Sequence, residues 1–253
     1  MAAITSKWTR FLALGCSHGR HIDAQAKKVV LDVKKKWIRP GDLCLHLGDA
    51  VDTAAFRSGA RGIDADSAEP VAPDIDGGLQ FLKELRPDIF LCGNHEARLW
   101  HLRESPNAVI AYASHKAIEH LEDGCAKIGT RLIPYDGINQ VYKRADLTFL
   151  HGTWYAEAAT RDYAEAYGGT VVHAHTHRPF YAPGRTFSKS QGFCVGTLTR
   201  MRSMGYSLNR RATMAWGQAL VCGEFREGKN PSSVTWLFTG PSSVEDCGWR
   251  LPF

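Results

Sequence analysis

Short apolar runs alternate with longer amphipathic stretches through the first half of the chain. Continuous apolar runs of this length, bounded by Gly, Pro or Asp, are typical of buried strands. Residues 22–37 instead carry apolar side chains at the spacing of one helix face, with three lysines in the last turn. The first strands are predicted at residues 11–14, 43–47 and 88–92, and further helices at 79–85, 96–103, 107–122 and 156–167.

The pattern changes beyond Gly129, where short strand-like segments prevail. They are predicted at residues 131–134, 140–143, 147–150, 170–172, 193–198, 213–222 and 234–238. Residues 58–78 are rich in Gly, Pro, Ala and Asp without periodicity, which predicts an insertion loop. Strands alternating with helices, followed mostly by strands, favour an α/β layered sandwich with helices outside the sheets. Neither a repeat nor a linker divides the sequence, so one domain over residues 1–253 is expected.

Composition narrows the class of protein. The 253 residues are 44% hydrophobic, which is ordinary for a globular protein with one core. No apolar run approaches the roughly 20 residues that span a bilayer, and the short apolar stretch near the amino terminus is interpreted as a strand. Seven cysteines without a C-x-x-C pair are not typical of a disulfide framework. A reducing cytoplasm is therefore the expected location, with no membrane association.

Charge is distributed unevenly along the chain. Seven of the 31 basic residues, and none of the 26 acidic ones, fall between Ala166 and Gly223. A positive final third would suit an anionic substrate. A solvated basic face explains the same composition and stays open as the alternative.

Five short motifs carry the chemistry, and each stands where an apolar run ends. They are Cys16-Ser17-His18, Gly48-Asp49-Ala50-Val51-Asp52, Gly93-Asn94-His95-Glu96, His151-Gly152 and His175-Thr176-His177. Sites in open α/β sheets form beyond the carboxyl ends of strands, so the motifs are expected to converge. In extended segments residues two apart point the same way, which would let Cys16 and His18 face one ion and His175 and His177 do likewise. Histidine nitrogens with carboxylate oxygens suit Mn, Fe, Ni or Zn better than Mg or Ca.

This constellation resembles the calcineurin-like metallophosphoesterase family. The family pattern is Asp-x-His, Gly-Asp-x-x-Asp, Gly-Asn-His-Asp/Glu, a lone His and Gly-His-x-His, and the resemblance runs from Phe11 to Pro179. It implies a four-layer αββα sandwich and a dinuclear metal centre that polarises a phosphate and activates water.

The resemblance also implies metal ligands. The first ion would be held by His18 and His177 together with residue 16. Asp49 would bridge both ions. Asn94, His151 and His175 would hold the second ion.

Catalytic roles follow from the same resemblance. His95 would donate a proton to the leaving group, with Glu96 orienting it. Asp52 would steady the loop that carries Asp49. Arg178, directly after the last ligand, is a candidate contact for a phosphate oxygen, although an exposed arginine is common.

The sequence departs from the family pattern twice. Ala174 replaces the glycine of the last motif, which leaves open whether His173 lies beside the site. Cys16 stands where the family has a metal-binding Asp. A thiolate keeps the negative charge but is a softer ligand, so Zn or Fe would be favoured over Mn or Mg at this position. The alternative is that Cys16 does not ligate and the first site is weak or empty.

The expected function is metal-dependent hydrolysis of a phosphomonoester or phosphodiester by a metallophosphoesterase, acting on a nucleotide or nucleic-acid phosphate. Its cofactors would be two divalent or trivalent transition metal ions, Zn, Fe or Mn, and its partner a phosphorylated small molecule or nucleic acid. Two alternatives remain: a degenerate member that binds a phosphate ligand or partner without turnover, and a structural or nucleic-acid-binding module whose metals only staple loops.

Overall fold

The computed structural model describes residues 7–57, 70–136, 140–187, 189–200, 203–204, 213–228 and 231–240. Its strands form two sheets. The first sheet has the order β11-β10-β1-β2-β3-β4 and the second the order β5-β6-β7-β9-β8. The strands of the first sheet are β1 (Thr9–Leu14), β2 (Leu43–His46), β3 (Ile89–Leu91), β4 (Arg131–Ile133), β10 (Ala219–Arg226) and β11 (Ser232–Thr239). Those of the second are β5 (Val141–Arg144), β6 (Leu147–Leu150), β7 (Thr170–His173), β8 (Phe180–Pro183) and β9 (Gln191–Cys194).

Strand β1 illustrates why its run is continuously apolar. Phe11 and Ala13 face the second sheet and belong to the core between the two sheets, where Phe11 packs edge-to-face on Phe149. Leu12 and Leu14 point the other way and pack against helices. Because side chains alternate along a strand, a strand covered on both faces loses the polar half of its pattern.

Within the described part of the chain, five α-helices cover the outer faces. They are α1 (Ala24–Trp37), α2 (Val71–Leu85), α3 (Asn94–Leu102), α4 (Ala108–Ile128) and α5 (Ala159–Tyr167). The first four pack on the first sheet or on each other, and Ala159 and Tyr163 of α5 pack on the second sheet. The four layers are therefore helix, sheet, sheet, helix, which confirms the αββα sandwich.

The predicted loop at residues 58–78 is wrong in its second part. Residues 71–78 form the first half of α2, and residues 58–69 lie outside the described part of the chain. Pro73 is tolerated because it lies in the first turn. A Cβ on Gly78 would come within 2.7 Å of the Ala50 backbone oxygen. Gly78 therefore lets the helix pack closely on the Ala50 loop.

The other differences between the predicted and the observed strands are shifted boundaries and one strand that was not predicted. Strand β8 was not predicted, and the strands predicted at 193–198 and 213–222 are observed at Gln191–Cys194 and Ala219–Arg226. Within the described residues, no helix has both the length and the apolar character needed to cross a bilayer. The six cysteines of the described chain are buried and free of disulfides.

Strand direction positions the motifs. Strands β1, β2 and β3 are parallel neighbours, and so are β6 and β7. Their carboxyl ends therefore lie along one edge of each sheet, and the five motif loops leave from those ends.

Candidate metal centre

The first motif loops are tied together by main-chain hydrogen bonds. The N–H of Cys16 donates to the oxygen of Gly48 at 2.8 Å, and the N–H of His18 donates to that of Asp49 at 2.9 Å. Gly48 and Gly93 allow still closer approach. A Cβ on Gly48 would lie 2.5 Å from Nδ1 of His151, and one on Gly93 would lie 2.7 Å from Cε1 of His151. Both glycines are required by the crowding of the loops.

One group of donor atoms comes from Cys16, His18, Asp49 and His177. All four residues are buried, and one ligand atom from each lies within 4.8 Å of the others. The two Nε2 atoms of His18 and His177 are 3.0 Å apart, and Asp49 Oδ2 lies 3.9 Å from the first. His177 Nδ1 has no hydrogen-bond partner among the described residues.

A second group shares Asp49 and adds His151 and His175, again within 4.8 Å. Oδ2 of Asp49 lies 3.4 Å from Nε2 of His151. Asn94 joins them, because its Oδ1 lies 2.8 Å from Nδ1 of His175 and 3.1 Å from Nε2 of His151. Both groups thus meet at one carboxylate.

The lone pairs in the second group suit a cation. His151 Nδ1 donates to the Leu47 carbonyl at 2.6 Å, which leaves its Nε2 facing the oxygens of Asn94 and Asp49. Without an ion, a proton can fill this position: burial lowers the pKa of His151, but the Asp49 charge outweighs it and the pKa lies above its usual value. A metal ion would displace that proton. The residues present therefore fit metal binding.

The pKa shifts of the other candidate ligands bear on metal binding as well. Burial lowers the pKa of His175 to about 3 and that of His177 well below its usual range, so both are neutral, as metal ligands must be. Burial would raise the pKa of Asp49, yet His151 and His95 hold it well below its usual value. Burial and then the Asp49 charge raise the pKa of Cys16 well above its usual value. Without an ion, Cys16 is a neutral thiol.

The backbone corrects how the motifs were expected to converge. Five of the seven candidate ligands have left-handed φ: Cys16 (53°), His18 (50°), Asp49 (54°), His175 (68°) and His177 (58°). The segments are therefore not extended, and His175 and His177 face different donor groups instead of one ion. A left-handed backbone conformation is uncommon for residues other than glycine. Where such residues occur, they tend to cluster at functional sites.

The structure also exchanges the expected roles of Asp52 and Glu96. The Glu96 carboxylate is buried and accepts the backbone N–H groups of Asp49, Val51 and Gly93 at 2.9, 3.0 and 2.6 Å. Glu96, not Asp52, therefore steadies the Asp49 loop.

Asp52 instead contacts two imidazoles. Its Oδ1 lies 2.9 Å from Nδ1 of His18 and 3.1 Å from Nδ1 of His95. Burial would raise the pKa of Asp52, but hydrogen bonds from His18 and His95 hold it below its usual value. An ionised Asp52 orients both rings, and it turns the Nε2 atom of His18 towards the donor group.

His95 lies beside these groups with its Nδ1 held by Asp52. Burial lowers its pKa, but Asp49 and Asp52 together raise it above the usual value. The Arg98 guanidinium also lowers the pKa of His95, but the two carboxylates outweigh it, so the surrounding charges favour the protonated ring that a proton donor requires.

Two other candidates have their own contacts. Arg178 is half-buried, and its Nη2 donates to the carbonyls of Tyr155 and Ala156 at 2.7 and 2.9 Å. His173 is fully buried, with Nε2 2.8 Å from the Thr160 hydroxyl and Nδ1 2.8 Å from the Ala174 oxygen. His173 therefore ends its strand in the protein interior and is not among the convergent donor atoms.

The sequence interpretation missed two residues at the site. Arg98 lies one helical turn after His95, with Nη2 3.2 Å from Nε2 of that ring. Arg98 lies on the helix predicted at residues 96–103 and His95 immediately precedes it, so their three-residue spacing was a usable signal. Asp74 is buried in α2 and accepts the N–H groups of Asp52 and Thr53. It lay in the segment predicted to be a loop, so no signal pointed to it.

The chain has only remote similarity to the known proteins named here. No curated protein matches the chain significantly. Among solved structures, Vps29 of Chaetomium thermophilum is 13% identical with a TM-score of 0.38, and covers 91% of this chain and 95% of its own. A hypothetical protein of Pyrococcus horikoshii OT3 is 12% identical with a TM-score of 0.46, covering 90% and 87%. A structure described as a novel phosphatase of Mycoplasma pneumoniae is 14% identical with a TM-score of 0.44, covering 93% and 95%.

The assignment to a protein family rests on the sequence. The model of the calcineurin-like phosphoesterase family matches residues 9–189, which is well over half of the chain and includes all five motifs. This chain belongs to the calcineurin-like phosphoesterase family.

Proposed function

We propose that this protein hydrolyses phosphomonoester or phosphodiester bonds at a dinuclear metal centre. The observation that carries the proposal is the convergence of two groups of donor atoms that share the Asp49 carboxylate, all of them buried except the half-buried His175. Membership in a family of phosphoesterases supports it. The whole chain, residues 1–253, would act as one domain.

The ligands divide between the two groups. The first ion would be held by Cys16, His18 and His177, with Asp49 shared, and Zn or Fe would be favoured there because the thiolate is a soft ligand. The second ion, Zn, Fe or Mn, would be held by Asn94, His151 and His175 with Asp49. When bound, the two ions would polarise the phosphate and activate a water molecule.

The chain's own residues would handle the leaving group. His95 would donate a proton from Nε2 to the leaving oxygen, since Nδ1 is committed to Asp52. Nε2 accepts a hydrogen bond from Arg98 at 3.2 Å, and protonation of Nε2 would release that contact. Asp52 would keep the ring in that orientation. Glu96 would contribute indirectly, by fixing the backbone around Asp49.

The substrate would be a phosphorylated small molecule or nucleic acid, with a nucleotide or nucleic-acid phosphate favoured. The support is the acid-free, basic stretch from Ala166 to Gly223. Arg178 belongs to that stretch and could contact a phosphate oxygen. The free cysteines are consistent with a reducing cytoplasm.

A degenerate member that binds a phosphate ligand or partner without turnover is the second candidate. The observation that favours it is the complete burial of Cys16 beside the Asp49 carboxylate, because both raise the pKa of the thiol and disfavour the thiolate that a metal ion needs. A first site that binds its ion weakly would leave only the second group of donors filled.

One experiment separates the two candidates. Metal content and turnover of an aryl phosphomonoester and an aryl phosphodiester are measured for wild type and Cys16→Ala, with Cys44→Ala as the control for loss of another buried thiol. The proposal expects about two ions per chain, with activity lost in Cys16→Ala and retained in the control. Filled sites without turnover of either ester would favour the binding-only candidate.

A further inference from the structure

The atoms around His95 indicate where a leaving group would go. Nη2 of Arg98 lies 3.2 Å from Nε2 of His95, and Nη1 donates to the Asp52 backbone oxygen at 3.0 Å. The guanidinium is therefore fixed beside the nitrogen that would deliver the proton. A leaving group that takes its proton from Nε2 of His95 would therefore lie next to this cation.

Arg98 also lines a cavity of about 490 Å³. The cavity lies between the turn at Ala54–Phe56, the start of α2, and helices α3 and α4. Its size is within the range of small-molecule sites.

The chemistry of the cavity wall is mixed. Apolar side chains come from Phe56, Leu102 and Ile110, and basic ones from Arg57, Arg98 and His101. No acidic residue is found among the described residues that line it. An occupant with an apolar body and a negative charge would match both halves of this wall.

We propose that this cavity is the leaving-group subsite, and that it selects phosphate esters whose leaving group is apolar and carries its own anion. The proposal rests on the hydrolysis proposed above, because it takes His95 as the group nearest the leaving oxygen. Bound there, the leaving group would place its body against Phe56 and Ile110. Its anion would lie near Arg98.

A larger cavity of about 680 Å³ lies near Arg178 and Phe180. Its wall includes Thr176, between His175 and His177, and Arg98 is not among the residues that line it. The Arg98 cavity is preferred because a 3.2 Å contact joins it to the proposed proton donor.

The test compares two esters that differ only in charge: the phosphate monoesters of 6-hydroxy-2-naphthoate and of 6-hydroxy-2-naphthamide. Ile110→Asp adds a negative charge to the cavity wall, in the first turn of α4, where an acidic residue suits the helix dipole. Tyr112→Asp adds the same charge to an exposed position of the same helix that does not line the cavity. Arg98→Met removes the cation and keeps an apolar chain.

Wild type and Tyr112→Asp should prefer the naphthoate ester by at least tenfold in kcat/KM. Ile110→Asp and Arg98→Met should abolish that preference. An equal preference in all four proteins, or none in wild type, would overturn the proposal.

Binding of the two free naphthols, followed by their fluorescence, separates this proposal from the proposed function. A protein that turns over neither ester but binds 6-hydroxy-2-naphthoate tenfold more tightly than the amide, with the preference lost in Ile110→Asp, would retain the subsite and lose the hydrolysis. Turnover of both esters, without any difference in the binding of the two naphthols, would retain the proposed hydrolysis and rule out the subsite.

Discussion

Nδ1 of His95 lies 2.6 Å from the backbone oxygen of Asp52 and 3.1 Å from its carboxylate. Two acceptors on one residue hold a proton on Nδ1, and they place Nε2 3.9 Å from Oδ2 of Asp49 and 3.2 Å from Nη2 of Arg98. The same carboxylate oxygen lies 2.9 Å from Nδ1 of His18. One side chain therefore orients the proposed proton donor and a proposed metal ligand.

Asp52→Asn should lower both turnover and metal affinity. The amide can present an NH₂ group to the imidazoles, which favours the wrong tautomer, so kcat should fall by at least about 100-fold. The affinity for the first metal should fall by about 10–100-fold because His18 loses its orienting partner. Steady-state kinetics at saturating metal and a competition titration with a chelator measure the two effects.

Asp32→Asn is the matched control, since Asp32 is exposed on α1. It should change neither quantity. Unchanged kcat in Asp52→Asn at saturating metal would contradict the orienting role.

Glu96→Gln should act mainly on stability. The buried carboxylate accepts three backbone N–H groups, and a glutamine would offer only one oxygen and would point its NH₂ at a remaining donor. We expect a loss of about 2–4 kcal/mol in the free energy of unfolding. Urea denaturation of the chelator-treated protein measures it.

The control for Glu96→Gln is Glu104→Gln, an exposed residue paired with Arg103 at 3.1 Å. Its free energy of unfolding should match that of wild type within about 0.5 kcal/mol. If Glu96→Gln unfolded at the wild-type urea concentration, the three hydrogen bonds would not hold the Asp49 loop.

The sequence predicted the convergence of the motifs because strand direction decides it. Apolar runs ending in Gly48-Asp49 and Gly93-Asn94 were expected to be strands of a layered α/β sandwich with the motifs beyond their carboxyl ends. The structure shows these two strands as parallel neighbours, so their carboxyl ends share an edge. The resemblance to the metallophosphoesterase family, and not the spacing, indicated which ligands belong to the first donor group and which to the second. The spacing argument put His175 and His177 on one ion, and their left-handed backbone makes that wrong.

What the sequence could not supply depends on packing between distant segments. Gly77 and Gly78 are unfavourable in a helix, so residues 71–78 were predicted as loop. Only the nearness of the Ala50 backbone explains why glycine is needed there. The roles of Asp52 and Glu96 were exchanged for the same reason. Both are acidic residues close to a ligand in sequence, and only their contacts tell which one holds a ring and which holds a loop.

Cys16→Asp should shift metal preference. Replacing one soft sulfur by hard oxygens favours Mn over Zn at the first position, so the ratio of Zn to Mn affinity should fall by at least about tenfold. Competition binding of the two ions measures the ratio. Cys44→Ala, which removes a buried thiol from a different part of the core, should keep the wild-type ratio. An unchanged ratio in Cys16→Asp would remove Cys16 from the ligands.

His46 should make folding sensitive to acid. The ring is fully buried, with Nε2 3.0 Å from the Ser17 hydroxyl and Nδ1 accepting the N–H of Gly48 at 3.3 Å. Burial lowers its pKa from 6.5 to about 3. Between those values the unfolded chain binds a proton that the folded chain does not, so stability is full above pH 6.5 and falls as the pH drops towards 3.

His46→Gln removes this proton, and its unfolding free energy should therefore depend less on pH. The slope of stability against pH between pH 6 and 4 should be smaller than in wild type by up to about 1.4 kcal/mol per pH unit. Urea denaturation of chelator-treated protein across this range measures both slopes, with the exposed His115→Gln as the control for loss of an imidazole. Because the other buried histidines titrate in both proteins, the difference between the slopes isolates His46. Parallel slopes for wild type and His46→Gln would mean that His46 accepts a proton in the folded state as readily as in the unfolded one.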